Sequence, residues 1–419
     1  MSSWGGSELL LPAPNNLRVL PRQRTRIQPI LQSVSATSHG TIKHKLDEKD
    51  NGCIITNIHR HTDSLAHLVN AQRSSKMKKK LVESAFMALG IAHPKFDLDE
   101  MSNTVWLDRT LHAGLDEYGL FALTVSKETG TQLLGLLKND LEFRQKLLDD
   151  HDVLSARNSK LFVSTGAANP LPECITRPQL QLVLLHPEQF LPDGLPLIRR
   201  RSRAEAIYDT YTITQDGRLR CTTDAANVTA REFPIEQQET TRSGVEIVNV
   251  WMLILNANAK FKFYQQRYGF QHPHLPDSII EVITLTMDIT RLIYSKPEPT
   301  PGVSSTALSR TRWLNPRPDD AEDGDSDESR SQGPDGSSHS GDGGGGDVTG
   351  SNVQGASDVP QNKLDLFLSL PPDEMEQMGN EWFCGYDRLV ANHDELFGRP
   401  PDSAYKSPDR IMQWLTEVV

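Results

Sequence analysis

Apolar positions along the chain change period several times, and each change marks an element. Met77, Leu81, Ala85 and Leu89 recur at every fourth position with Gly90 just beyond, which predicts a helix that ends there. Leu134, Leu137, Leu141 and Leu148 share one stripe and predict a core-facing helix over 131–148. The runs Tyr208–Ile213 and Leu219–Cys221 flank Asp216-Gly217, a pair suited to a tight two-residue hairpin turn. Helices are expected at 246–267 and 277–294, the second with Asp277 accepting amide bonds at its start. Towards the end, Met375, Met378 and Trp382 lie at helical spacing, as do Ile411, Trp414, Leu415 and Val418. Segments this short cannot bury a core alone, so they are expected to dock on the preceding part of the chain.

Between these patterns lies a stretch with little to bury. Residues 297–361 are dominated by Gly, Ser, Asp and Pro, including Gly343 to Gly346 in a row, and read as a disordered acidic linker. This changes the meaning of the net charge of −11 on 419 residues. Eleven acidic residues against one arginine fall between Asp319 and Asp358, so the rest of the chain is close to −1. The tract reads as a spacer, or else as a nucleic-acid mimic that occupies a basic cleft. The organisation that emerges is a basic, Pro/Ser-rich arm (1–45), a domain over 46–150 and a mixed α/β region of unread role (151–296). The linker (297–361) and helical C-terminal segments (362–419) complete it, and the fold class is α+β. Arg199, Arg200, Arg201 and Arg203 suit either a nucleic-acid backbone or a basic linker.

Other classes drop out on composition. Cys53, Cys174, Cys221 and Cys384 form no C-x-x-C pair, which argues against a zinc ribbon or a disulfide scaffold and for a reducing compartment. No apolar run approaches the length of a membrane span, the mean hydropathy is −0.47, and the N-terminus carries no continuous apolar run of a secretory signal. The expectation is an intracellular protein, nuclear or cytoplasmic, with no membrane partner.

One region concentrates candidate chemistry. It runs Cys53-Ile54-Ile55-Thr56-Asn57, Asp63-Ser64-Leu65-Ala66-His67-Leu68-Val69, Asn103-Thr104-Val105-Trp106-Leu107, Leu111-His112-Ala113-Gly114-Leu115-Asp116 and Gly119-Leu120-Phe121-Ala122-Leu123. The order His, Asn, His, with nine residues from Asn103 to His112, resembles the HNH nuclease family. The nearest variant has an Ala-His-Ile/Leu run and is common among predicted fungal proteins. The resemblance covers about 75 of 419 residues, Cys53 to Val125. It implies a β-hairpin followed by a helix gripping one divalent metal ion (Mg²⁺, Mn²⁺ or Zn²⁺), and DNA as substrate.

What the resemblance implies for individual residues follows from phosphodiester hydrolysis. A neutral imidazole can take the proton from an attacking water near physiological pH. By the resemblance His67 is that base, Asn103 fixes the loop that orients it, and His112 binds the metal. Asp116, one turn after His112, is placed to support the ion directly or through the imidazole. The chain departs from the family pattern at Ala66, where many members carry a metal-binding carboxylate, and in the 35 residues between His67 and Asn103. His59, His61 and His93 read as solvent-exposed loop residues, and Cys53 as a buried strand residue.

That insertion holds the helix ending at Gly90, whose first turn carries Lys76, Lys78, Lys79 and Lys80. Cations there oppose the helix dipole by about 0.3–1 kcal/mol each. Contact with DNA phosphates would account for them, as would a merely solvated face. The expectation is a metal-dependent HNH-type endonuclease. The alternatives are a catalytically inactive HNH-fold module binding nucleic acid or protein, and a scaffold in which the same residues only pack.

Overall fold

The computed structural model describes residues 36–397 except 51, 71–74, 150–156, 158–161, 164–170, 192–194, 202–205, 216, 223–232, 234–240, 270–274, 298–360 and 385. The proposed acidic linker and the helical pattern over 411–418 lie outside the described residues, as does most of the basic arm. The elements are α1 (Ala36–Lys49), β1 (Asp63–His67), α2 (Lys76–Ala88), β2 (Thr104–Asp108), α3 (Arg109–Asp116), β3 (Phe121–Val125) and α4 (Lys127–Asp149). There follow α5 (Glu173–Thr176), β4 (Leu180–Leu184), α6 (Pro187–Phe190), β5 (Leu197–Arg200), β6 (Tyr208–Ile213), β7 (Leu219–Cys221), α7 (Val250–Tyr268), α8 (Asp277–Tyr294), α9 (Gln361–Ser369), α10 (Pro372–Cys384) and α11 (Tyr386–Phe397). The mixture of helices and small antiparallel sheets is α+β.

Three separate sheets form among the described residues: β1 with β2, β3 with β4, and β5-β6-β7. Helix α7 is the centre of the molecule. Its residues from Val250 to Phe261 are buried on every side, Asn256, Asn258 and Lys260 among them with hydrogen-bonded side chains, and Asn249 caps it by accepting the amides of Trp251 and Met252. Strand β3 packs on α7, α4 on α8, and α10 against α7, α8 and α2. One buried cluster runs from Cys53 through Trp251 to Phe383, so the segments on both sides of residue 150 share a core.

Several local readings need correction. Asp277 does not cap α8: Pro276 is the cap residue, and its carbonyl accepts the amides of Ile279 and Ile280. The hairpin after β6 is wider than two residues. Ile213 pairs with Leu219 and the Thr214 amide donates to the Arg218 carbonyl; Gly217 takes φ +74°, and Asp216 lies outside the described residues. On α4 the buried stripe is Leu133, Leu137 and Leu148, while Leu134 and Leu141 are only half-buried. Between them Asp140 receives hydrogen bonds from both Arg144 and Arg157, a buried ionic group where a leucine stripe was expected. Met375, Met378 and Trp382 are buried where α10 packs on the central helices.

Candidate functional site

Strands β1 and β2 pair antiparallel with His67 opposite Thr104, Ala66 opposite Val105 and Leu65 opposite Trp106. Alternation then gives the ribbon two faces. Ala66, Val105 and Leu107 are fully buried in the main core beside Leu111 and Leu115 of α3. Leu65 and Trp106 face the other way, against Ile42 and Leu46 of α1. Asp108 ends the ribbon and starts α3, its carboxylate accepting the Thr110 amide at 3.0 Å. The segment thus forms a strand–strand–helix unit with α3 lying on the Ala66 face.

Asn103 is completely buried at the start of β2. Its Oδ1 accepts the Val69 amide at 2.9 Å, and its Nδ2 donates to the carbonyls of Val69 (2.9 Å) and Leu98 (2.7 Å). The Leu68 amide donates to the Asn103 carbonyl, and the Leu68 carbonyl accepts from Asn256 of α7 at 2.7 Å. The Asn70 amide donates to the Phe383 carbonyl on α10. Five backbone polar groups immediately after His67 are therefore all paired, none through regular secondary structure alone. The chain leaves β1 in one fixed direction.

His67 itself is mostly buried, and its Nε2 lies 3.6 Å from Oδ1 of Asp99. The His67 imidazole and the Lys79 ammonium hold the Asp99 carboxyl well below the usual range, against the opposing effect of burial. Lys79 Nζ sits 2.7 Å from Asp97, 2.7 Å from Asp99 and 3.8 Å from Glu83. Burial alone would lower the lysine, but its hydrogen bonds to the two aspartates push it up. Lys79 is thus engaged by carboxylates, whereas Lys76, Lys78 and Lys80 are exposed around the first turn of α2, which Ser75 caps.

On α3, Nε2 of His112 is 2.9 Å from Oδ2 of Asp116, and Nδ1 is 2.7 Å from the hydroxyl of Ser64. The structure brings His112 and Asp116 together on the Ser64–Ala66 face and gives His67 partners from the loop before β2. No group of three or more His, Cys, Asp or Glu side chains is placed to hold a metal ion among the described residues. The 2.9 Å contact of His112 with Asp116, one helical turn on, is a hydrogen bond.

Two partners of the motif histidines, on opposite faces of the ribbon, escaped the sequence reading. Asp99 and Ser64 are brought in by tertiary contact, and only the acidic run Asp97-Leu98-Asp99-Glu100 downstream of the lysines hinted at the first. His93 was expected to be exposed. It is buried, its Nε2 3.0 Å from both carboxylate oxygens of Glu100, because the loop after α2 folds back on itself. Cys53 is buried in a tight turn, not a strand. Its amide donates to the Ile58 carbonyl, its Sγ accepts from Thr56, and burial raises its thiol pKa. Of the arginine cluster, Arg199 is buried with its guanidinium over Phe233, and Arg201 forms a two-pronged pair with Asp209. No helix among the described residues is long and apolar enough to cross a membrane. Compared with protein-family models, curated proteins and solved structures, the chain gives no significant match to any of the three.

Proposed function

We propose that the strand–strand–helix unit over 53–125 is the catalytic unit of a metal-dependent HNH-type endonuclease that hydrolyses DNA phosphodiester bonds. The observation that carries the reading is the set of bonds after His67. Two buried asparagines from distant parts of the chain, Asn103 and Asn256, fix the exit of β1. Any buried backbone must pair its amides and carbonyls, and here side chains do it, which also fixes the backbone from which His67 projects, as a base held in one orientation requires.

In this reading His67 takes the proton from the attacking water. Asp99, beside its Nε2, stabilises the imidazolium that results, and Lys79 keeps Asp99 ionised. His112 and Asp116 would hold the divalent ion, with Ser64 fixing the ring of His112 through Nδ1. The ion, when bound, supplies Lewis-acid stabilisation of the charge that builds on the phosphate. Lys76, Lys78 and Lys80 offer exposed charge for DNA phosphates next to this centre.

A second reading draws on a specific observation. His67 takes its partner from the loop before β2, whereas His112 bonds Ser64, whose side chain lies on the opposite ribbon face. That arrangement favours a scaffold retained for binding nucleic acid or protein without catalysis. Plasmid nicking with Mg²⁺, Mn²⁺ or Zn²⁺ separates the two. Metal-dependent nicking lost in His67→Ala and His112→Ala is the expected result. Folded protein that binds DNA but cuts with none of the three ions would overturn the nuclease reading in favour of the second.

A further inference from the structure

Another cluster of titratable side chains lies away from the strand–strand–helix unit, where α11 crosses the C-terminal end of α7. Nε2 of His393 on α11 is 3.2 Å from Nε2 of His186, in the turn between β4 and α6, and 3.2 Å from the hydroxyl of Tyr268, the last residue of α7. A neutral imidazole nitrogen carries either one hydrogen or one lone pair, so it makes one directed bond. Here two polar atoms approach the same nitrogen at equal distance.

Ring orientation adds a second observation. The two imidazole centroids are 5.0 Å apart. Rings meeting head-on through a straight N–H···N bond of this length would keep their centroids about 5.5 Å apart, since a linear bond adds both ring radii to the nitrogen separation. The rings therefore meet at an angle and not head-on, with their planes 59° apart. A tetrahedral ion at about 2.0–2.1 Å from each of two imidazole nitrogens holds those nitrogens about 3.3 Å apart.

We infer that His186, His393 and Tyr268 form a binding site for a borderline divalent transition ion of the Zn²⁺ class, which fastens α11 to α7. Two imidazole nitrogens suit Zn²⁺ or Co²⁺ and disfavour Mg²⁺ and Ca²⁺, which prefer all-oxygen sets; Tyr268 would join them only on giving up its phenol proton to water. His393 is fully buried. Its ring stacks on Phe397, with centroids 4.3 Å apart, and meets the edge of Phe263 at 4.9 Å, so its orientation is set by packing. The Arg267–Asp394 ion pair lies alongside. His186 and Tyr268 are only half-buried, which leaves a path for the ion and room for water as a further ligand.

The test uses the full chain carrying His112→Ala and Asp116→Ala, so that the pair on α3 contributes nothing and the result stands apart from the nuclease reading. Zn²⁺ is titrated in competition with a chromophoric chelator, and Co²⁺ is followed by its visible absorption. One equivalent of Zn²⁺, a rise in unfolding temperature with Zn²⁺ but not Mg²⁺, and at least tenfold weaker binding after His186→Ala are expected. His186 is half-buried, so that variant is expected to fold, as circular dichroism would verify; Tyr268→Phe provides a second, milder variant should it not. Folded background protein that takes up no Zn²⁺, or binding unchanged by both substitutions, would overturn the site and leave a hydrogen-bonded histidine pair only.

Discussion

Replacing Asn103 by alanine tests the foundation of the site. The substitution removes three side-chain hydrogen bonds and strands the Val69 amide, the Val69 carbonyl and the Leu98 carbonyl in a region with no exposure. Each bond contributes about 1 kcal/mol net, and an orphaned buried amide costs about 1–3 kcal/mol more. Water entering the small polar void would recover part of this. The expected loss is about 3–5 kcal/mol, a large share of the roughly 5–15 kcal/mol by which a folded domain is stable. Asn103→Asp is a sharper variant: it keeps the acceptor for Val69 but turns a donor that faces two carbonyls into a buried anion, and is expected to be at least as damaging at neutral pH.

Urea unfolding followed by tryptophan fluorescence reads this directly, because Trp106 and Trp251 are both buried in the folded chain. A lower midpoint with unchanged slope is the signature of lost native interactions. An Asn103→Ala protein within about 1 kcal/mol of the unsubstituted chain would refute the argument that this side chain fixes the exit of β1. It would also remove the main support for the orientation of His67.

Two further substitutions probe neighbouring features. Gly52 has φ +98°, and a Cβ there would lie 2.5 Å from backbone atoms of Ile58 and His59, which cannot swing aside; Gly52→Ala is expected to cost about 2–4 kcal/mol by the same unfolding assay, and a loss below about 1 kcal/mol would show that this turn yields. Asp99 has a folded pKa below its ordinary value of 3.8, so its contribution is fully present above that pH and fades as pH falls further towards the folded pKa. The stability gap between the unsubstituted chain and Asp99→Asn should therefore shrink as pH falls below 3.8, and a gap that failed to shrink in strong acid would contradict the assignment of the ionised carboxylate.

How much of this was legible in the sequence depends on what carried the signal. Helix α2 was readable because Met77, Leu81, Ala85 and Leu89 keep a four-residue period up to Gly90, and α8 because its apolar pattern is bounded by Pro276 and Ser295. The pairing of β3 with β4 was not, since Phe121–Val125 is buried on both faces and such a strand shows no alternation by which to name its partner Leu180–Leu184. The histidines and the asparagine stood out through their order and spacing. Lys79 was read with its neighbours as a phosphate contact, yet its ammonium lies among Asp97, Asp99 and Glu83, because the loop that brings those carboxylates has no periodicity to place it.

The same long-range contacts decide whether the strand–strand–helix unit is a separable module. Arg242 and Asp50 form an ion pair with both side chains fully buried, and Arg242 also donates to the carbonyls of Met101 and Thr104 at the entrance to β2. Removing one partner of such a pair leaves an uncompensated buried charge, at about 3–5 kcal/mol. The exit of β1 is likewise closed by Asn256 on α7 and by the Phe383 carbonyl on α10. A fragment covering 53–125 would lack Asp50, Arg242, Asn256 and Phe383 together. It would retain the motif with Ser64, Lys79 and Asp99 but lose the buried groups that hold the exit of β1 and the entrance to β2. The chemistry proposed for His67 is therefore a property of the surrounding helices as much as of the motif, and the long insertion before Asn103 supplies both the carboxylate beside His67 and the lysine that keeps it ionised.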